Sequence, residues 1–368
     1  MSLLVGMLLA SIRWFGEMRQ LSYRIPGPPV WLLVGFFAAL VWLMAAARSA
    51  AVLRRDRKTR RRLPPPPRTA EWTGMIALAA LSILVATHPF RADLNKGLLE
   101  VTVLDVGQGD SIFAAFPDGR TMLIDGGGLA GAEWYGGYRT GIDVGEEVVS
   151  PYLWSRGLKK LDILALTHAH HDHLDGLRAV LANFHVAQLW VGRDEETPAY
   201  EGLLAQARAR GVSISHEFAG SKFDWDAIEG RVLWPQDPSA TSTASNNNSL
   251  VLRLTDGKIT FLLPGDIEQK VEAELVHQGE SLTADFLKVP HHGSKTSSTE
   301  AFLDAVAPKV AVISVGEANP FGQPFPDVVE RYQAWGARLF RTDRDGAVTA
   351  RTDGQTLSIH TYVETNSR

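Results

Sequence analysis

Cysteine is absent from all 368 residues, which excludes disulfides and thiolate metal ligands together. Any metal must then be held by histidine and aspartate side chains, with asparagine as a further candidate. No internal repeat is apparent, although two similar ββα halves would suit the rhythm of the strands. The apolar start of the chain is followed by no small-residue cleavage site, which argues against a removable leader. Acidic residues are scarce at one end. Residues 1–97 hold 4 Asp/Glu against 14 Lys/Arg, net +10; the whole chain is −4, so the rest carries −14. A basic, apolar part is joined to an acidic one.

Residues 1–29 mix an apolar stretch with Arg13, Glu17 and Arg19 and end in Pro26-Gly27-Pro28-Pro29, the pattern of an interfacial or membrane-associated segment. The tail of a span and a signal-like anchor are its alternatives. Val30 to Ala47 is uncharged and apolar on every face, so a transmembrane helix is predicted over 30–48. A second is predicted over 72–90. Between them, 49–71 is a basic, proline-rich linker with Arg54, Arg55, Arg57, Lys58 and Arg60 to Arg62, then Pro64 to Pro67. Such a run can be a nucleic-acid patch, but positive charge beside a span is usually held in the cytoplasm. With the linker inside, the acidic part after Arg91 lies on the outer side of the cell membrane.

The acidic part reads as strands and helices in alternation. Apolar runs at Leu98–Val106, Ser111–Phe116, Thr121–Ile124, Leu161–Leu166, Val186–Val191, Val212–Phe218, Ile228–Trp234, Ser249–Leu254 and Lys258–Leu263 predict strands; Glu146–Arg156, Leu174–Asn183 and Tyr200–Arg210 predict helices. Chemistry-bearing residues cluster where apolar strands stop. After Leu166 comes Thr167-His168-Ala169-His170-His171-Asp172-His173. Imidazole and carboxylate suit a borderline cation such as Zn²⁺ or Mn²⁺. His168 and His170 can face one ion, Asp172 and His173 a second. A polar surface loop is the bland alternative.

Leu263-Pro264-Gly265-Asp266 places a carboxylate after another strand, either a helix cap or a bridge between two ions. Lys288-Val289-Pro290-His291-His292-Gly293-Ser294 offers a ligand and a proton donor, with the assignment open between His291 and His292. Ser294 and Lys295 are candidates for touching a phosphate, and Thr296, Ser297 and Ser298 follow at a helix start. The remaining histidines, among them His185 and His216, lie apart from the pattern.

The ordered set Asp105-Val106-Gly107-Gln108-Gly109-Asp110, Asp125-Gly126-Gly127, the histidine cluster, Asn248-Ser249-Leu250-Val251-Leu252, Gly265-Asp266 and Lys288 to Ser294 resembles the metallo-β-lactamase-fold domain of ComEC-type competence proteins. The resemblance covers nearly the whole chain and implies an α/β fold, an αββα sandwich over 97–364, preceded by membrane-spanning helices. It further implies two divalent metal ions and degradation of the DNA strand that is not imported. Partners would be DNA, the membrane, a channel-forming membrane domain and other uptake proteins at the bacterial inner membrane. Two spans are too few for the channel, so the chain resembles a C-terminal portion of the full protein. The wider superfamily usually has another ligating histidine before the bridging aspartate; Ser245-Asn246-Asn247-Asn248-Ser249 stands there instead.

The expected activity is metal-assisted phosphodiester hydrolysis. His168, His170 and Asp266 would hold one ion; Asp172, His173, Asp266 and one of His291 or His292 the other. Asp172, His291 and His292 are the candidate catalytic groups, and Asp110, Asp125 and Asn248 the candidates for orienting ligand imidazoles. The −14 of the acidic part runs against a polyanionic substrate. A small-molecule hydrolase and a catalytically idle domain supporting a channel are the alternatives.

Overall fold

Short apolar strands whose side chains are buried on both faces must be covered on both sides, and that requirement decides the architecture. The computed structural model describes residues 24–56, 68–128, 143–236 and 245–363. The segment before Arg24, most of the arginine run and all four linker prolines lie outside the described residues. The chain divides into two units, residues 1–92 with 154–158, and residues 93–153 with 159–368.

In the first unit, α1 (Val30–Asp56) and α2 (Arg68–Thr87) form an antiparallel pair. A Cβ on Gly35 would lie 3.7 Å from Leu81, and one on Gly74 would lie 3.1 Å from Trp42. Trp42 Nε1 donates to the Ala70 carbonyl at 3.1 Å. Val30–Arg48 and Thr69–Thr87 are each 19 residues long, apolar and little covered by protein. At 1.5 Å per residue each reaches about 28 Å, close to a hydrocarbon thickness. The second helix starts before the predicted span and stops at Thr87, because Pro89 cannot continue it.

The second unit contains two sheets. Among the described residues, one holds eight strands and the other seven. Strands β1 (Leu99–Val103), β2 (Ile112–Ala115) and β3 (Thr121–Ile124) form an antiparallel meander, and β4 (Lys160–Leu166), β5 (His185–Val191) and β6 (Ser213–His216) continue it in parallel. The second sheet begins with β7 (Lys222–Trp225), β8 (Ile228–Trp234), β9 (Val251–Asp256) and β10 (Ile259–Leu263), antiparallel to one another. Its parallel half is β10 with β11 (Phe286–Lys288), β12 (Val310–Ile313) and β13 (Arg338–Arg341). β14 (Val348–Thr352) and β15 (Leu357–Thr361) return to the first sheet.

Side-chain alternation separates the layers. Leu252, Leu254, Phe261, Leu263, Phe286 and Val312 pack between the sheets against Val101, Ile112, Met122 and Ala165. Val251, Leu262, Leu287 and Ala311 face the other way, onto helices carrying Val271, Leu275, Phe302, Val328 and Tyr332. Each such buried aliphatic or phenyl group contributes about 1.5–3 kcal/mol. The helices are α3 (Ser150–Ser155), α4 (His171–Asn183) and α5 (Pro198–Ala209), then α6 (Gln269–His277), α7 (Glu300–Val306) and α8 (Pro326–Trp335). Helix α3 is entered through a π-helical turn, Gly145–Val149. Strand β7 has no apolar run of its own and was not predicted; its Phe223 and Trp225 form an aromatic cluster with Phe116 and Trp190.

Candidate metal centre

Strand ends from both sheets converge at one place. Asp125 follows β3, His168 follows β4, Asp266 follows β10, His291 and His292 follow β11, and Ser314 follows β12. The carboxyl ends of parallel strands are where open α/β sheets generally place their ligands.

The first turn of α4 is fastened there by two glycine loops. His170 caps the helix with an extended backbone, so the helix begins at His171, three residues before the predicted start. Asp110 N–H donates to the Asp172 carbonyl at 3.1 Å and Gly126 N–H to the His173 carbonyl at 2.7 Å. Gly109 (φ 123°) is required at this approach: a Cβ would lie 2.2 Å from the Asp172 carbonyl oxygen. The second histidine pair is turned by a different device. His291 and His292 both have left-handed backbone, φ 48° and 54°, which sends their rings in different directions.

At the centre are Asp172, His173, Asp266 and His292, whose potential donor atoms all lie within 4.8 Å of one another. Asp266 Oδ2 is 3.2 Å from His173 Nε2 and 3.1 Å from His292 Nε2. Asp172 Oδ2 is 3.6 Å from His292 Nε2. Each imidazole is held from behind. His173 Nδ1 donates to Asp125 Oδ2 at 2.8 Å, and His292 Nδ1 donates to the Ser314 carbonyl at 2.9 Å. With Nδ1 so engaged, Nε2 of each ring is the atom left for a cation. Asp125 is in turn fixed by Thr167, through its N–H at 2.8 Å and its hydroxyl at 2.7 Å.

Beside this group, His168 Nε2 and His170 Nδ1 face each other at 3.0 Å. Two nitrogens bound tetrahedrally to one zinc stand about 3.3 Å apart, so this pair can close on one ion with little movement. His168 Nδ1 is backed by the hydroxyls of Thr167 at 3.1 Å and Ser249 at 3.3 Å. Ser249 Oγ also accepts the Asp266 N–H at 3.0 Å, which ties the two sides together.

Charge in the centre is concentrated and mostly buried. Burial alone raises a carboxyl pKa, but His292, His173 and Lys288 hold that of Asp266 well below the usual carboxylate range. Burial opposes protonation of His292, yet Asp266 and Asp110 lift it to about 9. His173 is raised as well, against its burial, by Asp266, Asp125 and Asp172. His168 is pushed well below the ordinary imidazole value by burial and by its neighbour His173. Nε2 of His292 and Oδ1 of Asp110 are buried without a hydrogen-bond partner. Nitrogen and oxygen donors, clustered and under-satisfied in this way, fit a divalent cation.

The model of the metallo-beta-lactamase superfamily matches residues 104–317. This chain belongs to the metallo-β-lactamase superfamily. Within it, the chain is similar to ComE operon protein 3 of Bacillus subtilis (strain 168), 34% identical over 267 residues, 72% of this chain and 34% of that protein. Competence protein ComA of Neisseria gonorrhoeae is 34% identical over 273 residues, 74% of this chain and 35% of that protein. The chain thus spans about a third of the length of the curated relatives it matches. These relatives bear out the resemblance to ComEC-type competence proteins, and the two-sheet architecture is the metallo-β-lactamase fold preceded by two apolar helices. Among solved structures, the metallo-beta-lactamase fold protein YhfI from Bacillus subtilis is 14% identical, with a TM-score of 0.40, covering 66% of this chain and 95% of that one.

Within that superfamily fold the remaining predicted residues separate. His291 turns away from Asp266: its Nδ1 is 3.4 Å from Glu268 and 3.3 Å from the Thr296 hydroxyl, and its Nε2 is 3.3 Å from Asn246. Asp110 is paired with Lys288 and lies 3.5 Å from His292 Nδ1. Asn248 accepts from Arg193 at 3.5 Å, and the serine after it is the residue that backs an imidazole. Ser294 Oγ bonds Thr296 at 3.0 Å, and the Lys295 ammonium lies 5.6 Å over the Phe325 ring. The N–H groups of Ser298 and Thr299 are taken by the buried carboxylate of Glu272, and the Thr299 side chain caps α7.

Four contributors escaped the sequence reading. Thr167 and Ser249 are single hydroxyls flanking recognised motifs. Lys288 carried a clearer signal, a charged residue inside the apolar run Phe286-Leu287-Lys288-Val289. Glu195 is a further one, buried, accepting the Ala169 N–H at 3.2 Å and pushed up to about 7 by burial.

Proposed function

We propose that this chain is a metal-dependent phosphodiesterase that cuts DNA during bacterial DNA uptake, degrading the strand that is not imported. The observation that carries the hydrolytic part is the cluster of Asp172, His173, Asp266 and His292, with both imidazoles held through Nδ1 so that Nε2 faces inward. The uptake part rests on similarity to proteins named for competence.

In this proposal one ion is held by Asp172, His173, Asp266 and His292, and a second by His168, His170 and the shared Asp266. Zinc or manganese there would supply Lewis acidity, which acidifies water and offsets charge on a phosphate. The chain's own groups do the rest. Asp125 keeps His173 in one tautomer. His291, partly exposed and backed by Glu268, is placed to deliver a proton to a departing oxygen. Ser294 and Lys295, three and four residues further along the chain, are proposed to touch the phosphate. The two apolar helices are proposed to cross the inner membrane with their arginine-rich connection in the cytoplasm, which puts the hydrolase outside, beside a channel-forming partner.

The test is cleavage of single- and double-stranded DNA with Mn²⁺, Zn²⁺ or a chelator, by the chain and by its Asp172→Ala, His173→Ala variant. Metal-dependent cutting that disappears in the variant supports the proposal. The net −14 of residues 98–368 favours a second reading, a hydrolase of a small phosphoester, thioester or lactam. Metal bound without DNA cleavage would move the assignment there.

A further inference from the structure

We infer that Lys288 is a positioning residue of the metal centre, holding Asp266 so that only one of its oxygens is offered to an ion. The inference rests on the metal reading above. Lys288 is the last residue of β11, between parallel neighbours β10 and β12, and is completely buried. Alternation puts it on the same face as Phe286, which packs between the two sheets, so its side chain enters the interior beneath the strand ends. An ammonium taken out of water there must have all its protons satisfied. They are: Lys288 Nζ pairs with Asp110 Oδ2, donates to the Gly265 carbonyl at 3.1 Å and donates to Asp266 Oδ1 at 3.2 Å.

The two oxygens of Asp266 therefore have different work. Oδ1 is committed to Lys288, while Oδ2 lies between His173 Nε2 and His292 Nε2. A carboxylate tied at one oxygen meets a cation through the other alone; an untied one is free to chelate with both. Lys288 also pairs with Oδ2 of Asp110, whose other oxygen stands 3.5 Å from His292 Nδ1, and the ammonium's charge weakens Asp110 as a rival to the Ser314 carbonyl for that proton. A fixed charge thus sets the orientation of the shared carboxylate and the tautomer of its neighbour.

The probe is Co²⁺, titrated into the full chain in detergent, with affinity read by calorimetry and coordination by the visible absorption bands. In Lys288→Met, Co²⁺ affinity is expected to fall about 10–100-fold, the range for loss of a group that orients a ligand. The bands should also weaken, as Asp266 contributes a second oxygen and coordination expands. The double variant Asp110→Asn, Lys288→Met removes the stranded carboxylate and provides the measurement if the single variant does not fold. It should show the same weakened bands. Wild-type affinity and spectrum in either variant would overturn the inference. If the wild-type chain took up no Co²⁺, the metal reading would fail and this inference with it.

Discussion

Asp172, His173, Asp266 and His292 close around a single point, each imidazole locked by a charged or carbonyl partner; beside them, His168 and His170 face each other with only hydroxyls behind His168. The first side has the donor count of a closed site and the second keeps positions open. The stretch 245–249 contributes Ser249 to the back of His168 rather than a nitrogen to its front. A fully enclosed ion serves structure and charge, while an open one leaves room for water and substrate. In the proposed two-ion site, the difference predicts unequal affinities for the two ions.

The largest effect should come from removing what the sides share. Asp266→Asn is expected to abolish binding at both, a loss beyond the about 10–100-fold typical of an orienting partner, measured as metal content after dialysis. Next, His292→Ala and His168→Ala should separate the sides. The first should eliminate the tighter of two calorimetric isotherms; the second should leave it and remove the weaker. Loss of both isotherms in each variant would mean the sides are not distinct.

Acidity offers a third measurement. In the metal-free protein His292 is raised from the ordinary 6.5 to about 9. A raised folded-state value contributes stability below the ordinary pKa and loses it as pH climbs through about 9. Metal binding has the opposite sign, because Nε2 must be unprotonated and each displaced proton changes apparent affinity tenfold per pH unit. The melting temperature of chelated protein should therefore fall between pH of about 6.5 and 9 while the gap to the loaded form widens. An unchanged gap would contradict the assignment of His292. The smaller effects belong to the groups behind the ligands. Asp125→Asn should weaken the closed side by about 10–100-fold. Ser249→Ala should weaken the open side by only about 1 kcal/mol, the contribution of one neutral hydrogen bond.

Much of this centre was legible before any fold. His168, His170, Asp172, His173 and Asp266 each follow an apolar run, so strand ends and ligand chemistry coincide in one dimension. Strand β8 was predicted at its observed bounds because Ile228–Trp234 alternates, whereas β7 was missed because four residues with two aromatics carry too little pattern. The choice between His291 and His292 was not legible, since adjacent identical side chains are told apart only by backbone torsion. Nor was the work of Ser249 or Lys288, whose partners lie 81 and 22 residues away in the chain.

By itself, the order of residues determined the ligand types, the absence of sulfur, the pair of apolar helices and the alternation that builds two sheets, because these depend on chemistry and periodicity within a few neighbours. Tertiary structure alone decided which nitrogen faces the centre, which carboxylate lies between His173 and His292 and which lysine is buried beneath it, because those outcomes depend on distances between strands far apart in the chain.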